Sequence, residues 1–142
     1  MKHTKEEQVE SVALTDFPKP NEKYDNKELS EKWDRILKLK DIVAKELENA
    51  RTEKIIGHSL NAKVIMYAKG EEYEFLKDTM DLLRTVFIIS DLEVIESEDQ
   101  LKIEVEQAAG EKCERCWMYS TTVGEDKENP TICHRCSEAI KE

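Results

Sequence analysis

All four cysteines of the chain fall within its last thirty residues, as Cys113-Glu-Arg-Cys116 and Cys133-His-Arg-Cys136 with sixteen residues between the pairs. Two thiolates at i and i+3 on a tight knuckle can grip one metal ion. A second such pair completes a tetrahedral shell with Zn–S bonds of about 2.3 Å. Zinc bound by Cys113, Cys116, Cys133 and Cys136 is therefore the expected cofactor. Four thiolates fill the shell and leave no position for a reactive water, so its role is expected to be structural. Other uses of the cysteines fit less well. Disulfides need an oxidising compartment, and the polar, charged stretch 1–10 is unlike a secretory signal. A redox Cys-x-x-Cys motif normally accompanies a βαβ pattern and needs no second copy. The spacing is not that of ferredoxin clusters. His134, between the last two cysteines, is the alternative ligand.

At 142 residues with 38% charged side chains, the chain can hold one ordinary domain or two to three very small ones. So hydrophilic a chain is expected to draw on a metal or a partner for part of its stability. No apolar run approaches membrane-spanning length, which points to a cytoplasmic protein without a membrane partner. The formal charge of −10 argues against a free-standing nucleic-acid binder held by phosphate contacts. That charge is uneven: residues 55–110 carry five basic and twelve acidic side chains, whereas residues 27–54 carry eight and seven.

Within residues 1–26, Val12, Leu14 and Phe17 form a short apolar patch interrupted by Pro18 and Pro20, an extended arm that needs a surface to pack on. From Asn26 to Thr52, Leu29, Trp33, Ile36, Val43, Leu47 and Ala50 recur at helical steps, with Leu37 and Leu39 at the flanks. Asn26 or Ser30 can cap that helix. Lys32, Arg35, Lys38 and Lys45 lie off the stripe, as a solvated face of ion pairs or, less favoured, an RNA contact. The helix is expected to bury its apolar side on other helices that this chain does not supply. Gly57 marks the end of the region.

Ala62–Ala68 then reads as a strand, Glu71–Arg84 as an amphipathic helix through Tyr73, Leu76, Met80 and Leu83, and Val86–Ile89, Leu92–Ile95 and Leu101–Val105 as strands. The expected fold class is α+β, with a small β-α-β-β-β module over residues 58–109 whose sheet is antiparallel. No phosphate loop or catalytic constellation is present. Residues 110–142 form the zinc module, with Val123–Pro130 as a polar turn joining two short ribbon strands. Metal binding must supply most of its folding free energy, on the order of 10–16 kcal/mol in small fingers. Arg115 lies inside the first knuckle and Trp117 follows it. Trp117 either shields the zinc sulfurs or joins Arg115 in presenting a donor and an aromatic plane to unpaired bases.

Lys112-Cys-Glu-Arg-Cys-Trp117, the second pair Cys133-His-Arg-Cys136 and the gap between them resemble the C-terminal zinc finger of bacterial isoleucyl-tRNA synthetases. Glu10–Pro18 and Leu47–Ala62 are similar to segments of that family's anticodon-binding helical domain. The resemblance covers nearly the whole chain in the expected order. It implies that residues 1–57 are the arm and last helix of an anticodon-binding bundle, 58–109 a spacer, and 110–142 the finger. The implied parent activity is ATP-dependent ligation of isoleucine to its tRNA by a monomeric enzyme. The nucleotide motifs of the class I catalytic fold are not found here, so ATP belongs to a catalytic part outside this chain, and the remainder of the synthetase is a partner. The family's contact to the anticodon loop of tRNA-Ile carries onto Arg115 and Trp117. Met118 departs from the family pattern, in which a polar residue is common. Two other classes stay open beside this one: the similarly spaced finger of a DNA-repair glycosylase, and a free-standing zinc-stabilised adaptor that binds protein.

Overall fold

The structure, a computed structural model, describes residue 13, residue 17 and residues 19–141. Of the expected apolar patch, Val12 and Leu14 lie outside the described residues, and Phe17 is almost fully exposed. A short 3-10 turn, Glu22–Tyr24, buries nothing and leads into α1, Lys27–Thr52. Asn26 caps this helix, its Oδ1 accepting from the Leu29 N–H at 3.0 Å and so satisfying one of the donors a helix start leaves orphaned. The other end closes without glycine. Lys54 adopts a left-handed backbone, and the N–H groups of Ile55 and Ile56 turn back onto the Ala50 carbonyl. Gly57 lies beyond this turn.

Ile36, Leu39, Val43 and Ala50 are the buried face of α1. They do not await helices from elsewhere. They belong to the same core as Val64, Met66, Leu76, Leu83, Phe87 and Leu92 of the following module. The expectation that α1 needs helices not supplied here is thus corrected: its core face packs on the α+β module that follows it. Leu29, Trp33 and Leu37, by contrast, remain substantially exposed on the flank. Arg35, half-buried, is engaged by the module. Its guanidinium lies 3.9 Å over the Phe75 ring and 2.5 Å from Glu72, tying α1 to the next helix.

The module runs β1 (Ala62–Ala68), α2 (Gly70–Asp78), α3 (Met80–Phe87), β2 (Asp91–Glu96) and β3 (Lys102–Gln107). The α+β class holds, but two details differ from expectation. The sheet order is β2-β1-β3, with β1 parallel to β2 and antiparallel to β3, so the sheet is mixed. Val86–Ile89 is not a strand, which makes the order β-α-α-β-β. A parallel pair needs a crossover long enough to return the chain to the same edge, and α2 with α3 is that crossover. Leu83 and Phe87 bury at i, i+4 on α3, and this tertiary demand overrides the β-propensity of Val86-Phe-Ile-Ile89. Ile88, in the left-handed region, turns the chain into β2. Thr79 breaks the predicted single helix in two, its hydroxyl donating to the Phe75 carbonyl at 2.6 Å while its own carbonyl receives Leu83 N–H.

Along β1 burial alternates strictly, Ala62, Val64, Met66 and Ala68 facing the core. The opposite face carries Lys63 between Glu93 (2.6 Å) and Glu106 (3.2 Å) across both neighbouring strands. Beyond β3, β4 (Glu111–Lys112) and β5 (Tyr119–Ser120) form a second small ladder, followed by α4 (His134–Lys141). These strands flank the first knuckle; the polar turn 123–130 leads instead to the second knuckle and α4. Gly110, at φ +87, permits the ladder: a Cβ there would lie 2.2 Å from the Ser120 carbonyl carbon. Among the described residues no helix is long and apolar enough to cross a membrane.

The shared core makes a simple prediction. Ile36→Ala in this chain should cost about 2–5 kcal/mol of unfolding free energy in urea, whereas Leu29→Ala, on the exposed flank, should leave the midpoint nearly unmoved. Equal, small effects would detach α1 from the module.

Candidate metal centre

The two knuckles are built differently. In the first, Cys113 N–H donates to the Met118 carbonyl (2.9 Å) and Trp117 N–H to the Cys113 carbonyl (2.8 Å), closing the loop at the end of the β4–β5 ladder. This closure places Trp117 at φ +65, a left-handed conformation that costs a non-glycine residue about 1–2 kcal/mol. The second knuckle opens α4. Cys136 and Ser137 N–H groups both bond the Cys133 carbonyl, at 2.9 and 3.0 Å. Asp126 ties the intervening polar turn to the helix through the Ser137 hydroxyl and through Lys141 Nζ at 2.9 Å. The Ser137 and Lys141 bonds, with the Glu128 N–H, hold its carboxyl well below the usual carboxylate range.

Together the knuckles bring the sulfurs of Cys113, Cys116, Cys133 and Cys136 within 4.8 Å of one another. Cys116 Sγ and Cys133 Sγ are 3.9 Å apart. Bonds of 2.3 Å in a tetrahedron give sulfur–sulfur edges of about 3.8 Å, so a single zinc-sized ion fits this spacing. An iron–sulfur cluster, with several atoms between its thiolates, does not. His134 is not in the group; its exposed imidazole faces Glu138 at 3.3 Å.

The electrostatics agree with a cation-centred site. Burial pushes the Cys133 thiol up to about 12 and also raises Cys116. Burial acts on Cys113 in the same sense, but the backbone N–H groups of Cys116, Cys133 and Arg115 outweigh it and bring this thiol down to about 6. Cys133 N–H, for example, lies 3.3 Å from Cys113 Sγ. One sulfur is thus prepared as a thiolate by the backbone, while Cys116 and Cys133 need a cation to lose their protons.

Arg115 and Trp117 both emerge on the outside of the first knuckle. Trp117 is 60% exposed, so it is not a cover over the sulfurs, and Lys112 Nζ stands 5.2 Å from its ring. Arg115 is exposed and, among the described residues, its guanidinium has no hydrogen bond or ion pair. Arg135 occupies the matching place in the second Cys-x-Arg-Cys and behaves differently. Its guanidinium donates to Met118 Sδ at 3.4 Å and lies against the Cys116 sulfur. Sequence reasoning passed over Arg135, although the repeated Cys-x-Arg-Cys was a signal for it. It also passed over Ser90, on which the finger is seated. The Ser90 hydroxyl donates to the Leu60 carbonyl (2.6 Å) and accepts Tyr119 N–H (2.7 Å), joining module to finger. No local pattern marks that serine.

Comparison with known proteins bears on the whole chain. Residues 110–139 match a family described as a zinc finger found in FPG and IleRS. Over 96% of its length the chain is 51% identical to an isoleucine–tRNA ligase of Caldicellulosiruptor saccharolyticus, covering 15% of that protein. It is 48% identical over its full length to the ligase of Caldanaerobacter subterraneus subsp. tengcongensis, and 44% identical over 98% of its length to that of Halalkalibacterium halodurans, covering 16% of each. The chain therefore spans about one sixth of the length of these relatives.

If the four thiolates hold the metal, Cys133→Ser should abolish zinc retention, measured by metal analysis after gel filtration in a mild chelator. Undiminished zinc in that variant would remove Cys133 from the shell.

Proposed function

We propose that this chain is the tRNA-facing C-terminal part of a bacterial, cytoplasmic isoleucine–tRNA ligase, acting as a monomer. Its likeness to such ligases over nearly its whole length supports this reading. Adenylation of isoleucine with ATP and transfer to tRNA-Ile belong to the larger remainder of that enzyme, and residues 27–142 contribute recognition. One zinc per chain is held by Cys113, Cys116, Cys133 and Cys136. When bound, it supplies a rigid tetrahedral node and no open coordination position.

The observation that carries the recognition role is the pairing of an unengaged Arg115 with the exposed indole of Trp117 on one closed knuckle. An unpaired anticodon base offers a ring face and a polar edge. Trp117 meets the face by stacking, and Arg115 is near enough in the chain to bond the edge. The left-handed backbone at Trp117 and its bond to the Cys113 carbonyl fix the indole before RNA arrives, which lowers the ordering cost of binding. Lys112 beside the ring adds a cation close to the stacked base. The segment 55–110, acidic on balance, carries the finger.

Stacking of one base is worth about 1–3 kcal/mol, so Trp117→Ala in the full-length ligase should lower kcat/KM for charging tRNA-Ile by roughly five- to 150-fold. Isoleucine activation, followed by pyrophosphate exchange, should change far less. Equal losses in both assays would assign Trp117 to folding.

A further inference from the structure

Where the finger rests on the module, a cavity of about 120 Å³ opens between α3, β5 and the second knuckle. Arg84 from α3 and Arg135 from the second knuckle both line it, and no carboxylate among the described residues does. In a chain with ten more acidic than basic side chains, that local balance is unusual. Neither guanidinium is saturated. The ion partner of Arg84 is Asp81, 3.6 Å away and almost fully exposed, while Arg135 spends its contacts on the sulfurs of Met118 and Cys116. A guanidinium carries five N–H donors, so both keep donors to spend.

The rim supplies one more. Ser120 Oγ and Thr122 Oγ1 lie 2.8 Å apart, and each accepts a backbone N–H, from Thr122 (3.2 Å) and His134 (3.1 Å) respectively. Only one hydroxyl hydrogen can lie between the two oxygens. The other has no acceptor among the described residues. The thiolates of Cys116 and Cys133 border the same cavity; with zinc bound the four-thiolate centre would carry two net negative charges, which the two guanidiniums balance.

We propose that this cavity takes one backbone phosphate of the tRNA strand whose base stacks on Trp117, with Arg84 and Arg135 as its cationic donors and the Ser120–Thr122 hydroxyl pair as its neutral one. The inference rests on the recognition role proposed above and extends it. The module is then part of the RNA surface, contributing Arg84 from an otherwise acidic segment. Met118 links the two parts, since it follows Trp117 directly and its sulfur receives Arg135. A phosphate seated here would lie next to the backbone that holds the indole.

The test measures tRNA-Ile binding to the full-length, zinc-loaded ligase as a function of salt. Arg84 is the residue to change, because Arg135 is flanked by metal ligands. Loss of one phosphate contact should reduce the slope of log K against log salt by about 0.7, so Arg84→Gln should lose roughly 2.5-fold less affinity than the parent over a fourfold rise in salt. Arg84→Lys should keep the slope. Lys127→Gln, an exposed cation of the finger that does not line the cavity, should keep it too. An unchanged slope in Arg84→Gln overturns the proposal, as does an equal drop in Lys127→Gln, which would mean diffuse attraction. A methylphosphonate walked through the anticodon loop gives a check independent of protein stability: one linkage should weaken binding to the parent and have no effect on Arg84→Gln, and no such linkage again overturns the site. Trp117→Ala separates the two levels. If it weakens binding while Arg84→Gln changes nothing, only the phosphate site falls; if it too leaves binding intact, the recognition role falls with it.

Discussion

Four sulfurs held within 4.8 Å of one another are the constraint on which the C-terminal quarter depends. As thiolates they would repel one another, and burial pushes two of them away from the charged form. A divalent ion reverses both effects, because thiolates that repel each other are each drawn to the same centre. Around that centre the segment has little else. Its apolar contribution is Val123 and Ile132 beside the cysteines themselves, and neither two-residue strand contains a fully buried residue. The left-handed backbone at Trp117 and the turn at Gly110 are tolerated because the knuckle is closed from both sides.

Upstream, ordinary burial takes over from coordination. A 26-residue helix and a three-stranded sheet share one core, in which Ile36, Val43, Val64, Met66, Leu76, Leu83 and Ile89 are fully or almost fully buried. Each contributes about 1.5–3 kcal/mol relative to exposure, which is ample for an acidic module whose charged side chains stay at the surface. The division of labour follows from chemistry. The module rests on its apolar core, the finger on its four-sulfur cluster, and the joint between them is made by hydrogen bonds.

Features set by local chemistry were legible in the chain: the clustering of the four cysteines from their spacing, α1 and, as one of two candidates, its Asn26 cap, β1 from its alternation, and the exposure of Trp117 as one of two stated alternatives. Features set by distant partners were not. Val86-Phe-Ile-Ile89 has the composition of a strand, and only the need to cross from β1 to a parallel neighbour makes its first half helical. The core side of α1 was misjudged for a related reason. Leu29, Trp33 and Leu37 extend the apolar stripe by periodicity, but the module buries Ile36, Leu39, Val43 and Ala50 and covers only part of Leu47. Ser90 and Arg84 gave no signal, because an isolated serine or arginine acquires meaning only from what folds against it.

The bond from Tyr119 N–H to the Ser90 hydroxyl has a mechanical consequence. Ser90 passes the contact to the Leu60 carbonyl, within the turn Ser59–Asn61. Asn61 in turn receives Gly57 N–H on its side chain and Ala108 N–H on its carbonyl. A torque applied at the fingertip therefore has a continuous load path to the exit of α1, bypassing the short linker at Gly110. The finger is mounted as a bracket rather than hung on a tether, so displacement of its tip tilts the ground on which α1 ends.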